Sequence, residues 1–149
     1  MLRETLIKLY QRDLAKLRTE IDGYANESDL WKTGGTIPNS AGNLCLHLTG
    51  NLKHFIGATL GNSGYVRDRD AEFSTPTSSR AQLLADIDST ATVITSTIEN
   101  LSDTDFEKTY PIEVFGEPMS TGYFLVHLTT HFNYHLGQID YHRRLLAAE

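Results

Sequence analysis

Histidines are the residues of this chain whose types and spacing could do chemistry. Six occur in 149 residues, and three of them, His127, His131 and His135, follow one another at steps of four. An α-helix turns by about 100° per residue, so a step of four places side chains one turn apart on the same face. Two imidazoles in this arrangement can bind a single metal ion, as in helical zinc sites.

A metal site on this helix needs a third ligand from elsewhere in the chain. His47 is the best candidate because it lies on the inward stripe of another predicted helix, between Leu44 and Leu48. His54, two turns further on, could also face inward. Three histidines leave open positions on a divalent ion, as catalytic sites require. A buried histidine that is merely hydrogen-bonded remains the alternative at each position.

Hydrophobic periodicity indicates which elements must position these side chains. Apolar residues recur at steps of three and four and predict four long helices, at residues 2–24, 41–60, 80–100 and 121–147. Ser40 and Ser79 precede two of them as N-caps, and Ser120 or Thr121 caps the last. We expect a single domain over residues 1–149, an all-α four-helix bundle whose long connections allow crossovers.

The connections carry weaker signals. Residues 110–118 contain two prolines and predict a bent extended segment or a small hairpin. The alternating charges of residues 67–72 indicate a solvated loop. Cys45 is expected to be a small buried hydrophobe. Aromatic residues in the connections either wall a pocket or seal a bundle end: Trp31, Tyr65, Phe73 and Phe115.

Composition excludes several classes of protein. The chain has 13 Lys and Arg against 19 Asp and Glu, a net charge of -6, so it lacks the basic surface of a nucleic-acid-binding protein. No apolar stretch approaches the roughly 18 residues of a membrane span, and no apolar segment follows the charged start. A single cysteine excludes an internal disulfide and a multi-cysteine zinc site. We therefore expect a cytoplasmic protein that binds neither membrane nor nucleic acid.

Two segments resemble the DinB/YfiT-like superfamily of bacterial four-helix bundles. Residues 127–139 have a histidine pair four apart followed by Gly-Gln and an aliphatic residue, and residues 43–51 place His47 before a Gly-Asn pair. The layout of helices and connections also matches over nearly the whole chain. The resemblance implies a divalent metal held by His47, His131 and His135. We expect four further residues to support the ligands or line a pocket: His127, Gln138, Asn51 and His54.

The resemblance also implies an activity. Some relatives are metal-dependent transferases of a low-molecular-weight thiol such as bacillithiol, mycothiol or glutathione, and others are isomerases or hydrolases. We expect a transition metal, Zn or Ni, a thiol cosubstrate, a small electrophilic substrate and a homodimer. Leu128 follows His127 and Phe132 follows His131 where the H-E-x-x-H motif of metalloproteases has Glu, so that mechanism is excluded. The alternative is a non-catalytic dimeric bundle with a structural or vestigial metal site.

Overall fold

The computed structural model describes residues 1–74, 76 and 78–147. It is an all-α four-helix bundle, as predicted. Six α-helices follow in chain order: α1 (Leu2–Asp22), α2 (Ala41–Leu52), α3 (Arg69–Glu72), α4 (Arg80–Glu99), α5 (Asp103–Glu107) and α6 (Thr121–Ala147). The four long helices form the bundle, and the two short ones lie in its connections.

The two first long helices, α1 and α2, are not neighbours in the bundle. Each packs mainly between α4 and α6, so the order around the bundle is α1, α4, α2, α6. The helix α6 runs parallel to α1, because Tyr10 contacts Leu125 near one end and Glu20 contacts Arg143 near the other. The helices α2 and α4 are parallel as well, because Thr49 contacts Asp86 and, further along, Gly57 just after α2 lies beside Val93. The long connection between them is a crossover, which the sequence allowed but did not specify.

The predicted N-caps are confirmed. The Ser40 hydroxyl accepts a hydrogen bond from the Asn43 amide, and Ser79 forms a capping box with Gln82. Ser120 accepts from the Tyr123 amide at the start of α6. The predicted second helix differs from the structure in its last turns, because residues after α2 form a wider π-helical segment, Lys53–Ala58.

The core is apolar and lies between the four long helices. Its largest fully buried side chains include Tyr10, Tyr110, Phe124 and Phe132. The predicted extended segment before α6 is a series of turns with a single bridge between Thr109 and Ser120 instead of a hairpin. Within the described part of the chain, no helix has the length and apolarity needed to cross a bilayer.

Candidate metal centre

Three histidines from two helices converge on one point. His47 lies on α2, and His131 and His135 lie one turn apart on α6, which runs antiparallel to α2 at this point. One potential ligand atom from each side chain lies within 4.8 Å of the other two. Nε2 of His47 is 3.1 Å from Nε2 of His131. Tetrahedral nitrogen ligands of a zinc ion are about 3.3 Å apart, given bonds of about 2.0–2.1 Å, so the spacing suits a shared ion.

A buried carboxylate fixes the tautomer of His47. Nδ1 of His47 lies 3.0 Å from Oε1 of Glu72, and both side chains are buried. An ionised carboxylate only accepts hydrogen bonds, so Nδ1 of His47 carries the hydrogen and donates a hydrogen bond to Glu72. Nε2 of His47 in this tautomer carries a lone pair and lies within hydrogen-bond distance of Nε2 of His131. Carboxylate–histidine pairs of this kind orient metal ligands in many proteins.

Arg67 holds the Glu72 carboxylate in place. Its Nε donates to Oε2 at 2.8 Å and its Nη2 donates to Oε1 at 2.9 Å, which is a bidentate ion pair. Burial alone acts to raise the pKa of Glu72, but hydrogen bonds from His47 and Arg67 keep that pKa below its ordinary value. The carboxylate is therefore ionised at neutral pH and remains an acceptor for His47.

Gln138 has the same effect on His135 that Glu72 has on His47. Nδ1 of His135 lies 2.7 Å from Oε1 of Gln138, one turn further along α6. The amide oxygen is an acceptor, so Nδ1 of His135 donates the hydrogen bond and Nε2 of the ring keeps its lone pair. The sequence predicted that Gln138 would support a ligand or line a pocket, and the structure places its amide oxygen at Nδ1 of His135.

The cluster favours neutral imidazoles. Burial, and then the neighbouring His135 and His47, lower the pKa of His131 to about 4. Burial also lowers the pKa of His135. Nδ1 of His131 is buried and has no hydrogen-bond partner among the described residues. Three imidazoles whose ligand nitrogens lie together, one of them incompletely hydrogen-bonded, are a donor set that fits a divalent transition metal.

Gly50 allows the carboxylate to lie against α2. A Cβ added at this position would meet Oε2 of Glu72 and come within 2.9 Å of its Cδ. Gly50 lies close to His47, almost one turn along the same helix. Only a residue without a side chain leaves room here for Glu72 beside the histidine that it orients.

The other candidate residues lie outside the three-histidine cluster. The His127 ring packs against Phe115, with centroids 4.8 Å apart, and His54 packs against Phe55 at 4.7 Å. Asn51 is buried, but among the described residues it makes no hydrogen bond to a cluster histidine. The structure therefore places His127 one turn from His131 in an aromatic setting, and within the described part of the chain Asn51 makes no hydrogen bond to the three rings.

Sequence reasoning missed the two charged residues that support the cluster. Arg67 and Glu72 belong to the charge run predicted to be a solvated loop, and that prediction is wrong for both, since their side chains are largely buried. Helical periodicity in the sequence does not show which connection packs against a given face of a helix. The available signal was Gly50, a glycine within an otherwise well-formed helix, which indicates close approach of another group.

Cys45 is a buried core residue, whereas Phe73, an aromatic residue of a connection, contacts the cluster. Cys45 is fully buried, and burial raises the pKa of its thiol, so it is unsuited to act as a nucleophile. Phe73 packs against the His47 ring with centroids 4.9 Å apart. It therefore covers the cluster from the side of the connection between α2 and α4.

Comparison with known proteins places the chain in a family. The model of a family described as a protein of unknown function, DUF1572, matches residues 5–149. A comparison with curated proteins finds no significant match.

Solved structures with the same fold are distant in sequence. A DinB-like protein from Bacillus cereus has a TM-score of 0.77 and 16% identity, covering 97% of this chain and 92% of its own. A conserved protein from Enterococcus faecalis has a TM-score of 0.78 and 12% identity, with coverages of 98% and 97%. YfiT from Bacillus subtilis has a TM-score of 0.74 and 15% identity, with coverages of 97% and 87%. YfiT is described as a probable metal-dependent hydrolase with an unusual four-helix bundle topology.

Proposed function

Because this chain belongs to the DUF1572 family and has the DinB/YfiT-like bundle fold, we propose that it is a divalent-metal-dependent enzyme that transfers a low-molecular-weight thiol to a small electrophile. The observation that carries the proposal is the convergence of three imidazoles within 4.8 Å, two of them fixed in the Nδ1–H tautomer by Glu72 and Gln138. Zn and Ni are the ions we expect.

The chain's own residues have distinct parts in this function. His47, His131 and His135 would hold the ion through nitrogen atoms, and Glu72 and Gln138 keep two of these rings oriented. A divalent ion held by three neutral ligands supplies Lewis acidity that lowers the pKa of a thiol or water at its open positions. In the transfer a sulfur–carbon bond forms, the bond to the leaving group breaks, and the thiol proton passes to solvent.

The thiol is favoured over water because no described carboxylate that contacts the cluster is free to act as a base. Glu72 is the carboxylate that touches the cluster, and Arg67 and His47 already occupy its oxygens. A thiol with an ordinary pKa of about 8.5 ionises more readily than water, so it is the nucleophile that depends least on a general base. Hydrolysis is the second candidate, and the description of the similar YfiT supports it.

Metal content and thiol transfer together test the proposal. Elemental mass spectrometry of untagged protein should find about one transition metal per chain, and the variants His47→Ala and His131→Ala should lose it. Metal-loaded protein should then accelerate the reaction of 1-chloro-2,4-dinitrobenzene with bacillithiol, mycothiol or glutathione, with release of chloride. His127→Ala should keep the metal, because its ring lies outside the cluster.

The other outcomes separate the alternatives. Turnover of chromogenic esters without any thiol would replace thiol transfer by hydrolysis. Bound metal without turnover of either substrate set would favour the non-catalytic dimeric bundle with a structural site. Failure to bind Zn or Ni would reject the enzyme proposal entirely.

A further inference from the structure

A groove of about 560 Å³ opens beside the three-histidine cluster. One wall is the outer face of the C-terminal half of α6, and the opposite wall is formed by residues 37–39 and the start of α2. His135 and Gln138 belong to its lining, and His135 is also a member of the cluster. The volume is within the usual range of small-molecule sites, about 300–1,000 Å³.

The lining of this groove is apolar and uncharged. None of the described residues that line it is an Asp, Glu, Lys or Arg, although the whole chain carries a net charge of -6. Three of its lining side chains are large, apolar or aromatic, and exposed to solvent. Their exposed fractions are 67% for Tyr134, 73% for Tyr141 and 48% for Ile37. Neighbouring exposed apolar side chains mark a surface that a ligand covers.

Two polar side chains of the groove lie at the end next to the cluster, His135 and Gln138. His135 and Gln138 are hydrogen-bonded to each other there, next to the cluster. A molecule that fills the apolar part would bring its own polar group to this end. Small-molecule sites combine an apolar lining with a few polar groups that fix orientation in the same way.

His142, on α6, is hydrogen-bonded to the connection that forms the opposite wall of the groove. Its Nε2 donates to the carbonyl oxygen of Lys32 at 2.8 Å, and its Nδ1 accepts from the hydroxyl of Tyr24 at 2.7 Å. Both contacts use the same neutral tautomer, because a carbonyl oxygen only accepts. The connection that carries Ile37 is thereby attached to α6, so the groove is formed before any ligand binds.

We infer that this groove binds the electrophilic substrate, and that the substrate is an uncharged molecule with an apolar, aromatic or aliphatic body and one polar reactive group. The body lies between Ile37, Tyr134 and Tyr141, and the reactive group lies at His135 and Gln138. The inference rests on the proposed function, because it assigns the groove to the substrate of the three-histidine site. Apart from the ion at the cluster, an anionic molecule would find no positive charge in the described lining.

A matched pair of fluorescent probes tests the substrate class. N-phenyl-1-naphthylamine is neutral, and 8-anilino-1-naphthalenesulfonate has the same ring system with one added sulfonate. We expect the neutral probe to bind to metal-free and metal-loaded protein alike, and in the metal-free protein we expect the sulfonate to bind at least about tenfold more weakly, because its charge would be desolvated without a partner. Equal binding of the two probes would overturn the assignment to uncharged molecules.

Variants locate the probe. Ile37→Asp and Tyr141→Ala should each weaken binding of the neutral probe at least about tenfold, since one adds a charge and the other removes an apolar wall. Ile112→Asp and Tyr123→Ala are the controls, because both residues are exposed and lie outside the groove. Equal effects of the controls, or no effect of Ile37→Asp, would overturn the inference. The inference would also be overturned if sedimentation velocity shows a wild-type dimer that Ile37→Asp dissociates, and the neutral probe does not bind to the wild-type protein.

A paramagnetic ion connects the groove to the cluster. One equivalent of Co²⁺ should broaden the NMR signals of the bound neutral probe in the wild-type protein and leave them sharp in His131→Ala. If the protein binds neither cobalt nor Zn or Ni, the proposed function fails, but the probe affinities still report on the groove. If cobalt binds and the signals stay sharp, the probe lies away from the cluster and the inference fails by itself.

Discussion

The Glu72 carboxylate lies 3.0 Å from Nδ1 of His47, although 25 residues separate the two in the chain. The connection after α2 turns back and brings α3 against the face of α2 that carries the cluster. Arg67 holds the carboxylate through both oxygens. The structure thereby gives His47 a partner that selects its tautomer before any metal binds.

Removing this partner should weaken metal binding without abolishing it. Glu72→Ala should reduce zinc affinity by about 10–100-fold, because His47 loses the acceptor for its Nδ1–H. Glu72→Gln should lose less, since an amide oxygen can still accept. Competition with a zinc-chelating dye measures both affinities, and Asp70→Ala, an exposed change on the same short helix, is the control. An unchanged affinity in Glu72→Ala would show that Glu72 does not orient the ligand.

A methyl group at position 50 should have a similar effect by a steric route. In Gly50→Ala the new Cβ would occupy the space of the Glu72 carboxylate and displace it from His47. We expect weaker zinc binding, comparable to that of Glu72→Ala, in the same dye competition. Gly137→Ala is the matched control on α6, because a Cβ there meets nothing within 4 Å and should raise stability by about 0.5–1 kcal/mol. If folded Gly50→Ala binds zinc with the wild-type affinity, the added methyl group does not displace Glu72 from His47 and the steric explanation is wrong.

Local signals in the sequence predicted the elements but not their contacts across connections. The spacing of His131 and His135 and the inward position of His47 placed these residues on the right faces, because helical periodicity is a local property. Glu72 was misassigned because its burial depends on how a connection of some twenty residues folds back, and no periodic pattern records that. Gly50 carried the information, but a single glycine has many explanations without the structure.

Acid should destabilise the metal-free protein through His131. Its pKa falls from 6.5 to about 4 on folding, so the unfolded chain takes up the proton first as the pH decreases. This contribution to stability is complete above pH 6.5 and is lost as the pH falls towards 4. Urea unfolding of the metal-free protein across this range should show the decrease, and His131→Leu should show a smaller one. An equal slope in both proteins would exclude His131 as its source.

The two outlying histidines should be dispensable for metal binding. His127 and His54 pack against phenylalanine rings and stand outside the group of three. His127→Ala and His54→Ala should each retain about one metal per chain by elemental mass spectrometry, while His135→Ala should not. Loss of the metal in either outlying variant, with the helical circular-dichroism spectrum preserved, would require a different ligand set.

A hydrogen bond to a buried carboxylate should contribute to the contact between α1 and α6. Asp13 is 1% exposed, and it accepts from Nε of Arg12 at 2.8 Å and from Nδ2 of Asn133 at 2.6 Å. Asn133→Ala removes one of these donors and should lower the free energy of unfolding by about 1–3 kcal/mol, because the buried charge loses a partner. Asn100→Ala is the control. Like Asn133, Asn100 donates to the backbone carbonyl four residues earlier, but among the described residues it makes no hydrogen bond to a charged group. Urea denaturation measures the difference, and equal losses in the two variants would assign the effect to that backbone bond instead of to Asp13.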